Sequence, residues 1–309
     1  FLGSYICDVL VKAKAEVTCL DNMSSGIADY IGDLLNKPNF RYIEKDISEP
    51  FKVDQDYDLV FHLASLATPT LFEEYGVEII KSNVFGTYNM LKIARESSAR
   101  FFFSSTSEVY GDPEDWAIPT KESYYGRVNP LKVRSAYDEA KRCGEALCMA
   151  IFRKYGMDIR IARYFNVFGP RLRYDGEYGR VIPKFLFQVL NDDPLTVYGS
   201  GNQTRSYIYV SDAIIGTLKM AALSGIDGEV LNIGSSEREL SVIGLIESIK
   251  GLFREKKVDV RYLDKVEEPS RRVPDNSKAK RLLDWTPEIE LEVGLRRNWK
   301  WLEQMVEET

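Results

Sequence analysis

Hydrophobic residues recur with two different spacings along the first half of the chain. Residues 1–15 carry apolar side chains at helical intervals, whereas the next run, residues 16–22, is short, rich in β-forming residues and ends at an acid. Later segments repeat this contrast, with strand-like runs at 41–46, 58–65 and 99–106 and a helical pattern at 83–97. The pattern therefore predicts strands and helices in alternation.

Such alternation, with short connections, is typical of a parallel sheet that carries helices on both faces. We therefore predict an α/β fold in which residues 1–163 form a Rossmann-like, doubly wound parallel sheet. From about Tyr164 onward the chain is punctuated by Gly and Pro, with helices between. We interpret residues 164–309 as mainly a smaller C-terminal substrate-binding lobe, and we expect the strand near 229–236 to return to the first lobe.

Composition argues against several classes of partner. The 309 residues are 44% hydrophobic and 28% charged, with a formal net charge of -6. A chain of this charge has no broad cationic surface, so we expect neither nucleic acid nor a membrane surface as the partner. No apolar run of membrane-spanning length and no signal peptide are visible, and the cytoplasm is the default compartment. An anionic ligand must then be met by a few local cations.

The cysteines and the single histidine predict no metal or redox site. Cys7, Cys19, Cys143 and Cys148 lack the C-x-x-C spacing of such sites. We interpret them as small buried apolar residues. One histidine cannot form a histidine-rich metal site, and we interpret His62 as a packed strand residue.

Two residues near the start of the chain fit a dinucleotide site. Gly3 opens the first helix, where a glycine lets backbone N–H groups and the helix N-terminus approach a pyrophosphate. Asp21 ends the next strand, about 20 residues further on, where a carboxylate binds the adenosine ribose. The same carboxylate repels a 2′-phosphate, which favours NAD over NADP. Because the chain begins at Phe1 inside this turn, we expect a further N-terminal segment.

The segment SAYDEAK holds the sharpest chemical signal. Tyr137 and Lys141 stand four residues apart, hence on one face of a helix. Such a pair alone is more often part of a surface helix, but an ammonium beside a phenol also makes a general base near neutral pH. Thr106 ends an upstream strand and would hold the reacting hydroxyl beside Tyr137. The three residues together predict hydride transfer between a secondary alcohol and nicotinamide.

A set of motifs spread along the chain carries a family resemblance. They are FLGS, HLAS, STSEVYGDP, RSAYDEAKR, RYFNVFGPR, VYGSGNQTRSYIYVSD and RRVPDNSKAKRLLDW, together with Asp21. Over nearly its whole length the chain resembles the extended short-chain dehydrogenases/reductases of the NAD-dependent epimerase/dehydratase family, which act on nucleotide sugars. STSEVYGDP followed by R-x-x-YDE-x-KR is most similar to the UDP-glucuronate decarboxylases, also called UDP-xylose synthases. The resemblance implies NAD as cofactor and a UDP-sugar as substrate.

The resemblance also implies roles for individual residues. Tyr137 would be the base for the C4 hydroxyl, Thr106 its positioner, and Lys141 a tuner of Tyr137 and a ribose ligand. The implied cofactor residues are Gly3, Asp21, Asn22, Asp46, Ile47, Leu63, Ala64, Ser65, Asn83, Tyr137 and Lys141. Relatives form homodimers through two helices, which we expect here at 78–97 and 136–155.

Glu108 separates the reactions open to such a site. The 4,6-dehydratases resemble one another in an Asp-Glu pair, and Ser107 stands where their aspartate would be, which makes dehydration the least favoured reaction. A 4-epimerase needs no proton transfer at C5. In decarboxylation, oxidation at C4 makes the C6 carboxylate part of a β-keto acid, which loses CO2 through an enolate at C5. We therefore predict decarboxylation through a 4-keto intermediate, with Glu108 relaying a proton or orienting water at C5.

The negative charges of a UDP-sugar call for cations. Arg272 matches the family position of a diphosphate or carboxylate clamp, and Arg205 is a second candidate. Asn166 would donate to the diphosphate, and Tyr198 would border the nucleotide. Each of these residues taken singly is more readily an ordinary surface or packing residue, and only the match to family motifs favours the functional interpretation.

Two other functions stay open. The segment HLASLATPT differs from the HLASPASP of the decarboxylases, which leaves a UDP-sugar 4-epimerase as the alternative, acting on UDP-glucose/galactose or UDP-glucuronate/galacturonate. A non-catalytic NAD-binding regulator is the other. The presence of Tyr137, Lys141 and Thr106 argues against a regulator, which has no use for that geometry.

Overall fold

The computed structural model describes residues 1–176, 179–264 and 269–307. The strands are β1 Val17–Asp21, β2 Phe40–Glu44, β3 Leu59–His62, β4 Arg100–Thr106, β5 Ile159–Tyr164, β6 Val167–Phe168, β7 Leu195–Tyr198, β8 Thr204–Ser206, β9 Ile208–Tyr209, β10 Val230–Ile233, β11 Glu239–Ser241, β12 Val260–Leu263 and β13 Arg271–Arg272. The helices are α1 Leu2–Lys12, α2 Gly76–Glu96, α3 Ser135–Tyr155, α4 Val181–Leu190, α5 Val210–Ala222, α6 Val242–Leu252, α7 Ser277–Leu283 and α8 Leu291–Glu307.

The first of two compact units contains Phe1–Val109, Val128–Arg163 and Thr217–Leu231. Its four-stranded sheet has the order β10-β5-β4-β3, and β1 and β2 form a separate parallel pair. Strands β3 and β4 run parallel, as a chain of strands joined by helices requires. The predicted α/β class is confirmed.

Strand β4 is buried on both of its faces, which explains its unbroken apolar run. Phe101, Phe102 and Phe103 are fully enclosed, as expected for a parallel sheet that is covered by helices. Helix α3 packs against this strand through Gly144, where an added Cβ would lie 2.6 Å from Cζ of Phe103. The absence of a side chain at Gly144 therefore allows α3 to approach the strand that ends in Thr106.

The second unit contains Tyr110–Arg127, Tyr164–Gly216 and Asn232–Thr309. It holds a three-stranded sheet in the order β11-β8-β13 and the strand pairs β12-β7 and β6-β9. Strand β13 runs parallel to β8, with Arg272 opposite Arg205. The register therefore puts two arginines that the sequence singles out on neighbouring strands.

The helical pattern at 83–97 belongs to a longer helix, which begins at Gly76, two residues before the 78–97 expected from the family resemblance. Its first turns carry Val77 and Ile80, whose side chains are 61% and 45% exposed. Apolar residues thus lie on the solvent side of α2 as well as on its buried side, which blurs the periodicity that marks an amphipathic helix.

The cysteines are free thiols in different surroundings. Cys7 and Cys148 are buried, as predicted, but Cys143 on α3 is exposed, so the prediction of burial is wrong for that residue. Within the described ranges, no group of three or more His, Cys, Asp or Glu side chains could hold a metal ion. No helix in the described part of the chain has the length and apolar character needed to cross a membrane.

Candidate active site

Helix α3 presents the predicted Tyr–Lys pair on one face. Tyr137 lies in its first turn and Lys141 one turn later, and both are buried. The Lys141 Nζ donates a hydrogen bond of 2.8 Å to the carbonyl oxygen of Ser104 and lies 5.9 Å from the centre of the Tyr137 ring. This hydrogen bond to β4 holds the amino group near the phenol ring, where a positive charge would stabilise a phenolate.

Burial lowers the pKa of Lys141 from its ordinary value to about 7, because desolvation penalises the ammonium form. The nearby Cys148 and Glu145 act in the opposite direction. A lysine with this pKa changes charge near neutral pH, so its protonation state is sensitive to whatever binds beside it.

We expect the stability of the unliganded protein to rise with pH between about 7 and 10.5 because of Lys141. In that window the unfolded chain holds a proton on Lys141 that the folded chain lacks. The resulting gain in stability is lost as the pH falls to 7. The test is to measure the free energy of unfolding in urea at several pH values, for the wild type and for Lys141→Met. The wild type should gain stability relative to the variant as the pH rises, and parallel curves would contradict the assignment.

Strand β4 brings a hydroxyl and a carboxylate to the start of α3. The strand ends at Thr106, whose Oγ1 accepts a hydrogen bond of 3.2 Å from the Glu108 amide. The Glu108 Oε2 accepts a hydrogen bond from the Arg134 guanidinium, and the two side chains are 19% and 17% exposed. The predicted Thr106 and Glu108 thus lie on one tight turn, and an arginine absent from the predicted site holds the carboxylate.

An aromatic stack connects this arginine with the predicted base. The Phe72 and Tyr137 rings lie 5.1 Å apart with their planes 18° from parallel. The Arg134 Cζ lies 5.7 Å from the centre of the Phe72 ring. Arg134 was visible in the sequence only as the first letter of RSAYDEAKR, and Phe72 carried no signal at all.

An ion pair behind the site joins α3 to β4 and β5. Arg163 donates to both carboxylate oxygens of Glu145, at 2.9 and 2.6 Å, and Ser105 donates to the same carboxylate at 2.5 Å. Arg163 and Glu145 are each 12% exposed. Glu145 follows Lys141 by one helical turn, and Ser105 directly precedes Thr106. The contacts of Glu145 therefore fix the distance between the part of α3 that carries Lys141 and the end of β4 that carries Thr106.

His62 is a packed strand residue, as predicted. It is 2% exposed, and burial, with a smaller effect from Lys141, lowers its pKa to about 3. Its Nε2 lies 2.9 Å from Thr87 Oγ1, and the Thr87 hydroxyl donates to the carbonyl oxygen of Asn83. Since the hydroxyl hydrogen is already used, the neutral ring donates through Nε2, which makes His62 a structural donor rather than a base.

The predicted adenosine residues lie at the carboxyl ends of β1 and β2. Asp21 Oδ1 accepts from the Met23 amide at 2.8 Å. An added Cβ at Gly26 would lie 3.3 Å from that oxygen, so the glycine keeps space open beside the carboxylate. Asn22 Oδ1 accepts from the Ser24 amide at 3.1 Å. Both side chains thus organise the turn after β1.

Asp46 and Ile47 form the corresponding turn after β2. The Asp46 Oδ1 accepts from the Ser48 amide at 2.8 Å, a bond that lowers the pKa of this exposed carboxyl. Ile47 is buried, and its carbonyl oxygen accepts from the Asn89 side chain on α2 at 2.8 Å. Ile47 therefore anchors the turn, while Asp46 faces solvent.

The remaining predicted cofactor residues lie where α1, β3 and α2 meet. Leu63, Ala64 and Ser65 follow directly on β3, and an added Cβ at Gly3 would lie 3.8 Å from Leu63. Asn83 on α2 donates to Ser65 Oγ at 3.0 Å and to the Ile79 carbonyl at 2.8 Å. Its Oδ1 is buried and has no hydrogen-bond partner in the described part of the chain.

These surroundings fit a dinucleotide. A carboxylate beside a glycine suits the ribose hydroxyls, and a glycine at the start of α1 leaves the helix N-terminus open to a pyrophosphate. The buried Oδ1 of Asn83 needs a donor that the described residues do not supply, and a ribose hydroxyl or an amide would supply it.

The predicted substrate residues belong to the second unit. Arg272 is 2% exposed, and its Nε donates to the Gly111 carbonyl at 3.0 Å. Arg205 is half-buried on the neighbouring strand and donates to the Thr204 carbonyl at 2.8 Å. Directly opposed residues project from the same face of a sheet, where two like charges repel each other. An anion between the two arginines would offset that repulsion.

Asn166 is hydrogen-bonded to the strand that carries Arg205, whereas Tyr198 ends a different strand of the same unit. The Asn166 Nδ2 donates to the Ser206 carbonyl at 3.0 Å, and the residue has a positive φ of 35°. Tyr198 ends β7 with 37% exposure, and Lys184 Nζ lies 6.0 Å from its ring centre. The structure thus pairs the two arginines, while Tyr198 is an exposed ring beside a lysine.

Comparison with known proteins adds to this geometry. Residues 1–234 match the model of the NAD dependent epimerase/dehydratase family. UDP-glucuronic acid decarboxylase 5 of Arabidopsis thaliana is 40% identical over 297 residues, which cover 96% of this chain and 84% of that protein. UDP-glucuronic acid decarboxylase 1 of Danio rerio is 38% identical over 308 residues, which cover 99% of this chain and 71% of that protein.

This chain is also similar to a solved structure of a protein with a different named activity. The UDP-glucuronic acid 4-epimerase of Bacillus cereus, in complex with UDP-glucuronic acid and NAD, superposes with a TM-score of 0.86 at 30% identity. The alignment covers 99% of this chain and 96% of the epimerase chain. The chain is therefore similar to proteins that are named for two different activities, and the site has to distinguish them.

Proposed function

The chain belongs to the NAD-dependent epimerase/dehydratase family, and from this we infer that it is an NAD-dependent UDP-glucuronate decarboxylase that forms UDP-xylose. Identity to named decarboxylases is 40% over 96% of the chain, against 30% for the 4-epimerase. The observation in the site that carries this conclusion is the Glu108 carboxylate, held by Arg134 on the turn that follows Thr106. Decarboxylation has a use for that carboxylate, and epimerisation at C4 has none.

NAD, when bound, would supply the hydride-transfer chemistry at the sugar C4 and would be regenerated in each turnover. Asp21 would hold the adenosine ribose, and the start of α1 at Gly3 the pyrophosphate. Ser65 and Asn83 would face the nicotinamide half, where the buried Asn83 Oδ1 can accept a hydrogen bond. Lys141 would hold the nicotinamide ribose and tune Tyr137.

Tyr137 removes the proton of the C4 hydroxyl as the 4-keto sugar forms. Thr106 orients that hydroxyl toward the phenol, and the nearby Lys141, when protonated, favours the phenolate. The stacked Phe72 keeps the Tyr137 ring in one orientation. After CO2 has left, the same phenol returns its proton to the oxygen at C4.

The carbon–carbon bond breaks because the 4-keto sugar is a β-keto acid. The electron pair of the C5–C6 bond moves into an enolate that includes the C4 oxygen, and C6 leaves as CO2. One proton from solvent then forms the new C5–H bond. Glu108 delivers this proton or orients the water that carries it.

Arg205 and Arg272 would bind the UDP diphosphate. They lie opposite each other on parallel strands, and an arginine fork suits phosphate oxygens in a bidentate geometry. An anion between them offsets the repulsion of two positive charges. Asn166 and Tyr198 remain proposed neighbours of the diphosphate and the nucleotide.

A UDP-sugar 4-epimerase is the second candidate. The observation in its favour is the likeness to the B. cereus UDP-glucuronic acid 4-epimerase, together with the HLASLATPT loop that follows β3. A 4-epimerase would use the same Tyr137, Lys141 and Thr106 but would return the hydride to the opposite face of C4. The carbon number of the product therefore separates the two activities.

Incubation of the protein with UDP-glucuronate and NAD tests the proposal. We expect stoichiometric CO2 and UDP-xylose, identified by NMR of the sugar. UDP-galacturonate without CO2, or conversion of UDP-glucose to UDP-galactose alone, would make the protein an epimerase. A protein that bound NAD and UDP-glucuronate but formed no product would support the regulator instead.

We also propose that the protein is a homodimer that associates through α2 and α3. Four large apolar residues on α2 are between 45% and 61% exposed, namely Val77, Ile80, Phe85 and Tyr88. At 100° per residue they fall on one side of the helix, where a second copy would cover them. The cytoplasmic compartment stays a prediction.

The oligomeric state follows from the mass measured by sedimentation. The wild type should sediment as a dimer, and Phe85→Glu combined with Tyr88→Glu should sediment as a monomer, because burying two carboxylates costs several kcal/mol. Trp116→Glu is the matched control, since Trp116 is 80% exposed and lies in the second unit. A monomeric wild type, or a dimeric double variant, would refute this interface.

A further inference from the structure

The Glu108–Arg134 ion pair is a polar contact of the candidate site to which the proposed mechanism gives no role for the arginine. The two residues lie 26 positions apart in the chain, and their side chains are 19% and 17% exposed. A charge-assisted hydrogen bond in such a shielded place is both strong and directional. The contact therefore fixes where the Glu108 carboxylate points.

The same arginine is tied to the turn that carries Tyr137. Arg134 immediately precedes α3, and its carbonyl oxygen accepts hydrogen bonds from the Tyr137 and Asp138 amides, both at 3.0 Å. Its guanidinium lies 5.7 Å from the Phe72 ring centre, and Phe72 stacks on Tyr137. Arg134 thus contacts the Glu108 carboxylate directly. It is connected to Tyr137 through a backbone hydrogen bond and through the ring of Phe72.

We propose that Arg134 is the positioning residue that sets Glu108 relative to Tyr137 for the proton transfer at C5. This inference rests on the proposed function, because only a reaction that makes or breaks the C5–H bond needs Glu108 in a defined place. Removal of the C4 proton by Tyr137 does not involve Glu108. Loss of Arg134 should therefore impair the step at C5 far more than the step at C4.

Both steps can be measured separately in the reverse direction. With UDP-xylose and NAD, oxidation at C4 reduces the cofactor, and its absorbance reports the step that Tyr137 assists. The resulting 4-keto sugar loses its C5 proton to form the enolate and regains one from solvent. In D2O this exchange puts deuterium at C5, which NMR detects in the recovered UDP-xylose.

Arg134→Gln should lower deuterium incorporation at C5 about a hundredfold, the loss expected when a reacting group is misplaced by about 1 Å. C4 oxidation in the same variant should change only a few fold. Arg134→Lys, which keeps the charge but not the planar fork, should recover part of the exchange. Combined with Glu108→Gln, the Arg134→Gln change should add little further loss, because the carboxylate that it positions is gone.

Arg142→Gln is the matched control. Arg142 also lies on α3 and donates to the Val109 carbonyl, in the turn that carries Glu108, but the carboxylate with which it pairs is that of Glu139. Its exchange rate should match that of the wild type. Thermal unfolding of each variant shows whether the fold is retained.

Equal losses of C4 oxidation and C5 exchange in both Arg134 variants would mean that Arg134 is merely structural and would overturn the proposal. Wild-type exchange in Arg134→Gln would overturn it too. If the wild type releases no CO2 from UDP-glucuronate, the proposed function fails instead. The two failures are thus distinguished by the wild type alone.

Discussion

Replacing Tyr137 with phenylalanine is expected to lower the rate of C4 oxidation by about a thousandfold, the size of a lost general base. The variant should still fold, because a phenylalanine ring can keep the stacking contact with Phe72 at 5.1 Å. Single-turnover absorbance of the reduced cofactor, with the protein in excess over UDP-glucuronate, measures the rate. Calorimetry should give nearly unchanged binding of the UDP-sugar, since the role proposed for the phenol is to remove a proton and not to bind the sugar.

Tyr155→Phe is the control for this substitution. Tyr155 ends the same helix and is 46% exposed, so removing its hydroxyl should leave the rate unchanged. A Tyr137→Phe variant that reduced the cofactor at the wild-type rate would remove Tyr137 from the mechanism. If its biological role also persisted, the protein would be better described as a regulator that binds NAD.

The second large effect is expected from Glu108→Gln. This change keeps the shape of the side chain but removes the charge that pairs with Arg134. CO2 release should fall by about a hundredfold or more, the lower end of the range for a lost proton-transfer group. Because Tyr137 and Thr106 are untouched, C4 oxidation should continue, and the reduced cofactor should accumulate during the reaction. Trapped CO2 and absorbance are followed in the same samples.

Glu139→Gln supplies the control for Glu108→Gln. Glu139 pairs with Arg142 on the exposed side of α3, and its side chain is 41% exposed. We expect wild-type CO2 release from it. Unchanged turnover in Glu108→Gln would show that the carboxylate has no part in the reaction, and the preference for decarboxylation would then rest on sequence identity alone.

The two experiments together divide the site by chemical step. Tyr137→Phe, on α3, should lose C4 oxidation. Glu108→Gln, in the turn after β4, should lose CO2 release while the cofactor stays reduced. A 4-epimerase would respond to the first substitution and not to the second. The pair of results therefore tests the identity of the reaction as well as the roles of the residues.

Local features of the chain were enough to predict its class and part of the candidate site. The alternation of strand and helix periodicities predicts the α/β fold, because side-chain spacing follows directly from backbone geometry. The four-residue spacing of Tyr137 and Lys141 predicts a shared helix face for the same reason, and α3 presents them so. The helical period itself is visible only from residue 83, because exposed apolar residues in the first turns of α2 hide it.

Contacts between distant segments could be decided only by the tertiary structure. Neither the hydrogen bond from Arg134 to Glu108 nor the stacking of Phe72 on Tyr137 leaves a period or a fixed spacing in the sequence. The same holds for Arg272 opposite Arg205, which depends on the register of β13 against β8. The sequence by itself thus determined which candidate reacting groups the chain carries and on which elements they lie. The packing of those elements decided which arginine holds which carboxylate, because ion pairs and ring stacks depend on distances that only the folded chain defines.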